Sequence, residues 1–239
     1  MGLKLHGKEQ KPILVWGGAG AVGTAAIQLA KAAGCSPIIT TASSKNHEVL
    51  LSLGADKCFD YHDEDVEQKI TAYMNGIKFP FVFDAVVAGA DANHPSSTHI
   101  CESLGTPDAK FAAPLPVTAP TREWPRVFAC RNTDFDFVLP NGSKIEHKAN
   151  LLWQEKMDEA FVWALEHYGN GFRMPNVKVV KGAEKGLEAL RASAAGKATW
   201  EVHYSTSTVN NKLLFYCKTL SKYLFNGASF GPQPFADPS

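Results

Sequence analysis

Gly18-Ala-Gly20-Ala-Val-Gly23 is the stretch whose residue types and spacing point most directly to chemistry. In a G-x-G-x-x-G turn the first glycine permits a tight reversal and the second lets backbone approach a pyrophosphate. The third lets a helix pack closely against a strand. A helix opening just after it offers free N–H groups and the positive end of its dipole to phosphates. About 20 residues beyond such a loop, NAD-type units place an Asp or Glu on the ribose hydroxyls. This chain instead reads Thr41-Ala-Ser43-Ser44-Lys45-Asn46 there, with no carboxylate in the turn. Two hydroxyls, an ammonium and an amide suit a 2′-phosphate, so the cofactor expected is NADPH rather than NADH. The ligand-free alternative is a plain strand–helix turn followed by a solvated polar turn.

The surrounding elements decide whether the glycines can act this way. Ile13-Leu-Val-Trp16 is a short apolar run bounded by Pro12 and by Gly17-Gly18, as a buried parallel strand should be. Ala21 to Ala33 has helical spacing and ends at Gly34. Pro37 to Thr41 reads as a second strand, and Asn46 as the N-cap of a helix that holds Leu50, Leu51 and Leu53 and stops at Gly54. Lys57 to Tyr61 is a third strand. Asp63 or Asp65 then opens a helix through Val66, Ile70 and Tyr73 to Gly76. Phe79–Val87 and Lys110–Leu115 are predicted as the fourth and fifth strands, with a helix from Ser97 to Leu104 between them. Strands alternating with helices at this pace predict an α/β fold, a doubly wound parallel sheet of Rossmann type.

The second half is less regular. A strand is expected within Arg126–Phe137, and an amphipathic helix over Trp153–His167 with Met157, Phe161 and Leu165 on one face. Trp153, Phe161 and Trp163 are read as core and interface rather than a base-stacking platform. Val177–Val180 and Trp200–Tyr204 are expected strands flanking a helix over Ala183–Ala195. Leu213–Phe225 suits a further helix, and the proline-containing end from Gly231 is expected to be flexible.

Composition narrows the function classes. The 239 residues carry 24 Lys+Arg against 24 Asp+Glu, which leaves no basic surplus for nucleic acid or an anionic membrane. No apolar stretch is long enough to cross a bilayer, and the N-terminus lacks the apolar run of a signal peptide. Cys35, Cys58, Cys101, Cys130 and Cys217 are scattered singly, with no C-x-x-C pair for structural zinc. Buried reduced thiols in a cytoplasmic protein are expected. His94 and His99 with Asp91 or Glu102 suit a polar loop leading into a helix better than a metal cluster, so no metal is assigned. His62-Asp-Glu-Asp65 reads as a solvated helix start. No G-x-S-x-G elbow is present, which removes support for a serine hydrolase.

Val15-Trp-Gly-Gly-Ala-Gly-Ala-Val-Gly-Thr-Ala-Ala-Ile-Gln-Leu-Ala-Lys31, with Leu53-Gly-Ala-Asp56 and Phe59-Asp-Tyr61, resembles the zinc-independent, quinone-reductase-like branch of the medium-chain dehydrogenases/reductases. Fungal trans-acting enoyl reductases are the nearest in character. Phe83-Asp84-Ala-Val-Val87 resembles the family's fourth strand, whose end lies beside the nicotinamide. Leu187-Glu-Ala-Leu190 and Gly196-Lys-Ala-Thr199 resemble its C-terminal helix and final strand. The resemblance runs over about residues 10–204, tight in the first half and loose between about 90 and 150. It implies that Gly18, Ala19, Gly20, Ala21 and Val22 face the pyrophosphate. Ser43, Ser44, Lys45 and Asn46 would surround the 2′-phosphate, and Tyr61 the adenosine end, although Tyr61 equally suits packing on the adjacent helix. Val87 is a further implied cofactor contact, and Pro114-Leu115 and Thr199-Trp200 match the family's cofactor contacts loosely.

The resemblance also implies a division into residues 11–150, an NADP-binding core, and 151–204, a C-terminal remnant of the catalytic domain. Residues 205–239 would be an added tail. Family members carry an N-terminal GroES-like domain of about 100–150 residues, and this sequence is read as starting in the linker after it. The function expected is NADPH-dependent hydride transfer to an activated C=C or a quinone, without zinc. The alternative is a truncated, non-catalytic NADPH-binding module. No acid–base residue is singled out. An enone or quinone substrate is the expected partner, with a homodimer or other subunit covering the exposed C-terminal segment.

Overall fold

Residues 4–8, 10–91, 95–117, 120–125, 127, 132–138, 142, 144–175, 177–194 and 201–205 are described by the structure, a computed structural model. They fall into two compact units divided after Pro175.

The first unit is organised by a five-stranded parallel sheet. Its strands are β1 (Ile13–Trp16), β2 (Ile38–Thr41), β3 (Lys57–Phe59), β4 (Phe79–Asp84) and β5 (Gly105–Ala112), in the order β3-β2-β1-β4-β5. Every residue of β1 and β2 is buried, as parallel strands covered on both faces must be. Alternation along β1 sends Ile13 and Val15 to one face, where they pack with Ile27, Ile38, Leu50 and Leu53. Leu14 and Trp16 point to the other, among Ile39, Ile70, Phe79, Val82, Ile100 and Phe111. The first core is closed by α1 (Ala21–Ala32) and α2 (His47–Leu53), the second by α3 (Val66–Tyr73) and α4 (Ser97–Leu104). Gly54 ends α2 at φ +118, a conformation open to glycine and costly for other residues. The doubly wound Rossmann order predicted from the alternating elements is present.

Several expectations need correction. Asn46 does not cap α2 with its side chain, because Ser44–Asn46 form a 3-10 turn running straight into the helix. Asp65 stands at the start of α3, again without a side-chain cap. β4 stops at Asp84 rather than Val87, and β5 begins at Gly105, earlier than the apolar run that marked it. The strand expected within 126–137 is β6 (Phe135–Val138), which pairs antiparallel with β7 (Lys144–His147). Asn141-Gly142 between them is a hairpin signal that could have revealed β7.

α5 (Leu151–Glu166) is opened by Asn150, whose side chain accepts the Trp153 N–H at 3.0 Å. No residue of α5 is buried, and Phe161 is 59% exposed. The core part of the role expected for Trp153, Phe161 and Trp163 is therefore corrected: periodicity identifies an apolar face, not what covers it. Trp163 stacks on His167 at 4.5 Å and meets Phe172 edge-on.

Gln28 fastens the end of the first unit to α1. Its Nε2 donates to the carbonyls of Thr24 and Arg173, and its Oε1 accepts the Arg173 N–H. Gln28 is buried, so Gln28→Ala leaves these Arg173 groups unpaired. The expected loss is about 1–3 kcal/mol, read from the urea midpoint at unchanged m-value.

In the second unit β8 (Val177–Lys181) and β9 (Glu201–Ser205) are parallel neighbours, with α6 (Ala183–Ala194) between them in sequence. Gly196–Trp200, Cys130, Cys217 and the tail from 206 lie outside the described residues.

Candidate functional site

The loop after β1 is tied to β2 before any ligand is considered. Gly17 takes φ +82, and its N–H donates to Thr41 Oγ1 at 3.0 Å. The Gly18 N–H reaches the Thr41 carbonyl at 2.9 Å, and Thr40 Oγ1 donates to the Val15 carbonyl at 2.7 Å. A Cβ on Gly18 would lie 2.2 Å from Thr40 Oγ1, and one on Gly23 would lie 2.2 Å from the Gly17 carbonyl oxygen. Gly20 differs, because a Cβ there would meet nothing within 4 Å. Glycine at 18 and 23 thus serves internal packing, while glycine at 20 leaves open space above the backbone. Gly20 is also the extended N-cap of α1, with no side chain capping the helix and no acidic residue in its first turn. Unused N–H groups and the dipole end face that space. Ala19 and Ala21 are half-buried beside it, and Val22 is 46% exposed.

At the end of β2, Ser44 and Lys45 are exposed and Ser43 and Asn46 half-buried. The turn is not free of carboxylate, as the sequence suggested. The parallel register Thr41↔Phe59 brings Asp60, the residue after β3, alongside it. Asp60 Oδ2 accepts the Ser44 N–H at 2.9 Å and the Ser44 hydroxyl at 2.5 Å. Its Oδ1 accepts the His62 N–H at 3.0 Å and lies 2.6 Å from His62 Nδ1. The Ser44 hydroxyl first, then the His62 N–H, hold the Asp60 carboxyl well below the usual carboxylate range. A depressed folded pKa means the bond's contribution is present above the ordinary carboxylate value and is lost only as pH falls through the depressed one. Tyr61 is 42% exposed, with its ring 4.0 Å from that of His62 and its hydroxyl 3.5 Å from Ser43 Oγ.

The sheet order reverses between β1 and β4, the crevice where open α/β sheets take ligands. Val87 follows β4 at this point, half-buried. Pro114 and Leu115 follow β5, with Leu115 54% exposed. Farther along the chain a cavity of about 270 Å³ is lined by Gly89, Ala90, Ser96, Thr98, His99, Glu102 and Thr121. Glu102 accepts bonds from Thr121, Arg122 and the Trp124 indole there, which lower its pKa against the opposing effect of burial. Among the described residues no group of three or more His, Cys, Asp or Glu is arranged to hold a metal; His94 lies outside them. Asp63 and Asp65 pair with Lys69 at 2.9 and 2.8 Å on the solvated start of α3. Cys35, Cys58 and Cys101 are buried thiols outside any disulfide, and burial raises the Cys58 pKa to about 11. Asp60, Asp84, Ser97 and Thr41 escaped the reading of the sequence as site residues. Only register or turn geometry brings them to it.

The sequence profile of the family described as zinc-binding dehydrogenase matches residues 21–103, from the start of α1 to near the end of α4. The matched segment is similar to the cofactor-binding part of the medium-chain dehydrogenases/reductases. Among curated relatives, the trans-enoyl reductase tazE of Aspergillus terreus is 34% identical over 143 residues, which are 57% of this chain and 43% of that protein. Trans-enoyl reductase ACTTS2 of Alternaria alternata is 36% identical over 110 residues, 46% of this chain and 30% of its own length. The chain thus spans less than half the length of either. In fold it superposes on the quinone oxidoreductase of Pseudomonas syringae pv. Tomato DC3000 with a TM-score of 0.52 at 19% identity, covering 82% of this chain and 57% of that one. Among the described residues no helix is long and apolar enough to cross a membrane.

Proposed function

We propose that this chain binds NADPH and serves hydride transfer to an activated C=C or quinone without zinc. The observation that carries the reading is the uncapped start of α1 over the open face of Gly20, in a loop bonded through Gly17 and Gly18 to Thr41, which leads into the polar turn Ser43–Asn46. In this reading the backbone of Gly18–Val22 receives the pyrophosphate. Ser43, Lys45 and Asn46 meet the 2′-phosphate, with Tyr61 beside the adenosine. Ser44 is committed to Asp60 and orders the turn rather than spending its hydroxyl on ligand. Val87, Pro114 and Leu115, at the ends of β4 and β5, flank the nicotinamide. When bound, the reduced nicotinamide supplies the hydride, while the chain orients it and shapes the field around it. The relatives named as enoyl and quinone reductases support the acceptor class. Residues 11–150 form the cofactor core in this assignment, 151–204 complete the family fold, and 205–239 are an appendage.

Titration of NADPH and NADH, followed by nicotinamide fluorescence, tests the reading. NADPH is expected to bind more tightly, and Lys45→Ala to weaken NADPH by about tenfold while changing NADH little. Asp60→Asn removes a negative charge beside the phosphate and is expected to tighten NADPH relative to NADH. Absence of saturable binding overturns the whole reading, and equal losses for both nucleotides at Lys45→Ala overturn the 2′-phosphate assignment. NADPH oxidation is expected with at least one enone or quinone; binding without oxidation would leave a nucleotide-binding module.

A further inference from the structure

The third residue after the switch-point strand β4 is held in an expensive conformation. Val87 has φ +53, and a β-branched residue in the left-handed region persists only where its surroundings impose it. The imposing group is Asp84, the last residue of β4 and wholly buried. Asp84 Oδ1 accepts the N–H groups of Val86 at 3.0 Å and Val87 at 2.8 Å. Its Oδ2 accepts the hydroxyl of Ser97, the first residue of α4, at 2.5 Å. Ser97 closes the turn from the far side, since its Oγ accepts the Ala88 N–H at 2.8 Å and its N–H donates to the Ala88 carbonyl. The near side rests on the phosphate loop. A Cβ on Gly17 would fall 2.0 Å from Val86 Cγ2, so that glycine admits the turn against the end of β1.

We propose that Asp84 is a positioning residue which, with Ser97, holds Val87 in left-handed backbone so that the turn after β4 is preformed for the nicotinamide end of the dinucleotide. Its oxygens are taken by the turn and by Ser97, so it acts through Val87 rather than by touching ligand. The inference rests on the dinucleotide reading and adds to it a division of labour. The Gly20 and Ser43–Asn46 segments bind phosphate and adenosine, whereas the Asp84 turn matters only to the nicotinamide.

The test compares NADPH with 2′-phospho-ADP-ribose, which lacks the nicotinamide, on the full chain. Asp84→Ala is expected to weaken NADPH about tenfold or more and the fragment by no more than about threefold. Glycine adopts the left-handed region at little cost. In a Val87→Gly background, the same Asp84→Ala change is therefore expected to shrink to about threefold for NADPH. Ser97→Ala carries the same comparison, with a smaller loss, should Asp84→Ala not fold. Equal weakening of NADPH and the fragment overturns the proposal, as does an Asp84→Ala effect that is unchanged by Val87→Gly. If the unsubstituted chain binds neither ligand, the dinucleotide reading itself fails, a result distinct from both.

Discussion

Gly20→Ala is expected to leave the fold intact and to weaken NADPH by well over tenfold, whereas Gly23→Ala is expected to lose both stability and binding. The two glycines belong to one motif, yet their surroundings differ. At Gly20 the backbone is extended, φ −75 and ψ 164, which alanine accepts, and the added methyl meets nothing within 4 Å. Alanine at such a position restricts the unfolded chain and is neutral or stabilising by a few tenths of a kcal/mol, up to about 1 kcal/mol. The same methyl would stand where the pyrophosphate must approach, and a tenfold loss corresponds to about 1.4 kcal/mol of binding. At Gly23 the methyl would lie 2.2 Å from the Gly17 carbonyl oxygen and 2.8 Å from Gly18 Cα, main-chain atoms that no rotamer change can move aside. Overpacking of this kind costs about 1–3 kcal/mol or more and pushes α1 off the loop whose N–H groups it supplies. Urea unfolding and NADPH titration of each variant separate the cases. Normal NADPH affinity in Gly20→Ala would place the pyrophosphate elsewhere.

The same contrast explains which parts of the molecule were legible in the sequence. The strands β1 and β4 announced themselves because a parallel strand covered on both faces is an apolar run, and each run here is punctuated by glycine, proline or a polar turn. The glycine motif was legible because its function depends on local backbone alone. What could not be read was anything set by register. Asp60 is sixteen positions from Ser44 in sequence, and the parallel pairing of β2 with β3 places its carboxylate on the Ser44 hydroxyl. The turn therefore looked free of acid when it is organised by one. Asp84 was visible as part of a family-like strand, but its bonds to Val86 and Val87 exist only because β4 stops there and α4 returns Ser97 to it. Likewise the hydrophobic spacing of α5 gave its apolar stripe correctly, while nothing local records whether that stripe is covered.

Phe79→Ala and Phe161→Ala make the same chemical deletion and are expected to differ by several kcal/mol. Phe79 opens β4 with no exposed surface and packs in the core shared by Val82, Ile100, Leu104 and Phe111. Removing its ring forfeits the transfer energy and leaves a cavity that a sheet pinned on both faces cannot collapse to fill, a loss of about 3–5 kcal/mol. That is a large share of the stability of an ordinary domain. Phe161 lies on α5 with 59% of its surface exposed. Its truncation removes little burial and should fall within about 0.5 kcal/mol of no effect. Urea midpoints measured side by side decide the matter. A loss at Phe161 matching that at Phe79 would show that the apolar face of α5 is covered in solution. The periodicity of that helix would then have reported a true contact, made by a surface outside the described residues.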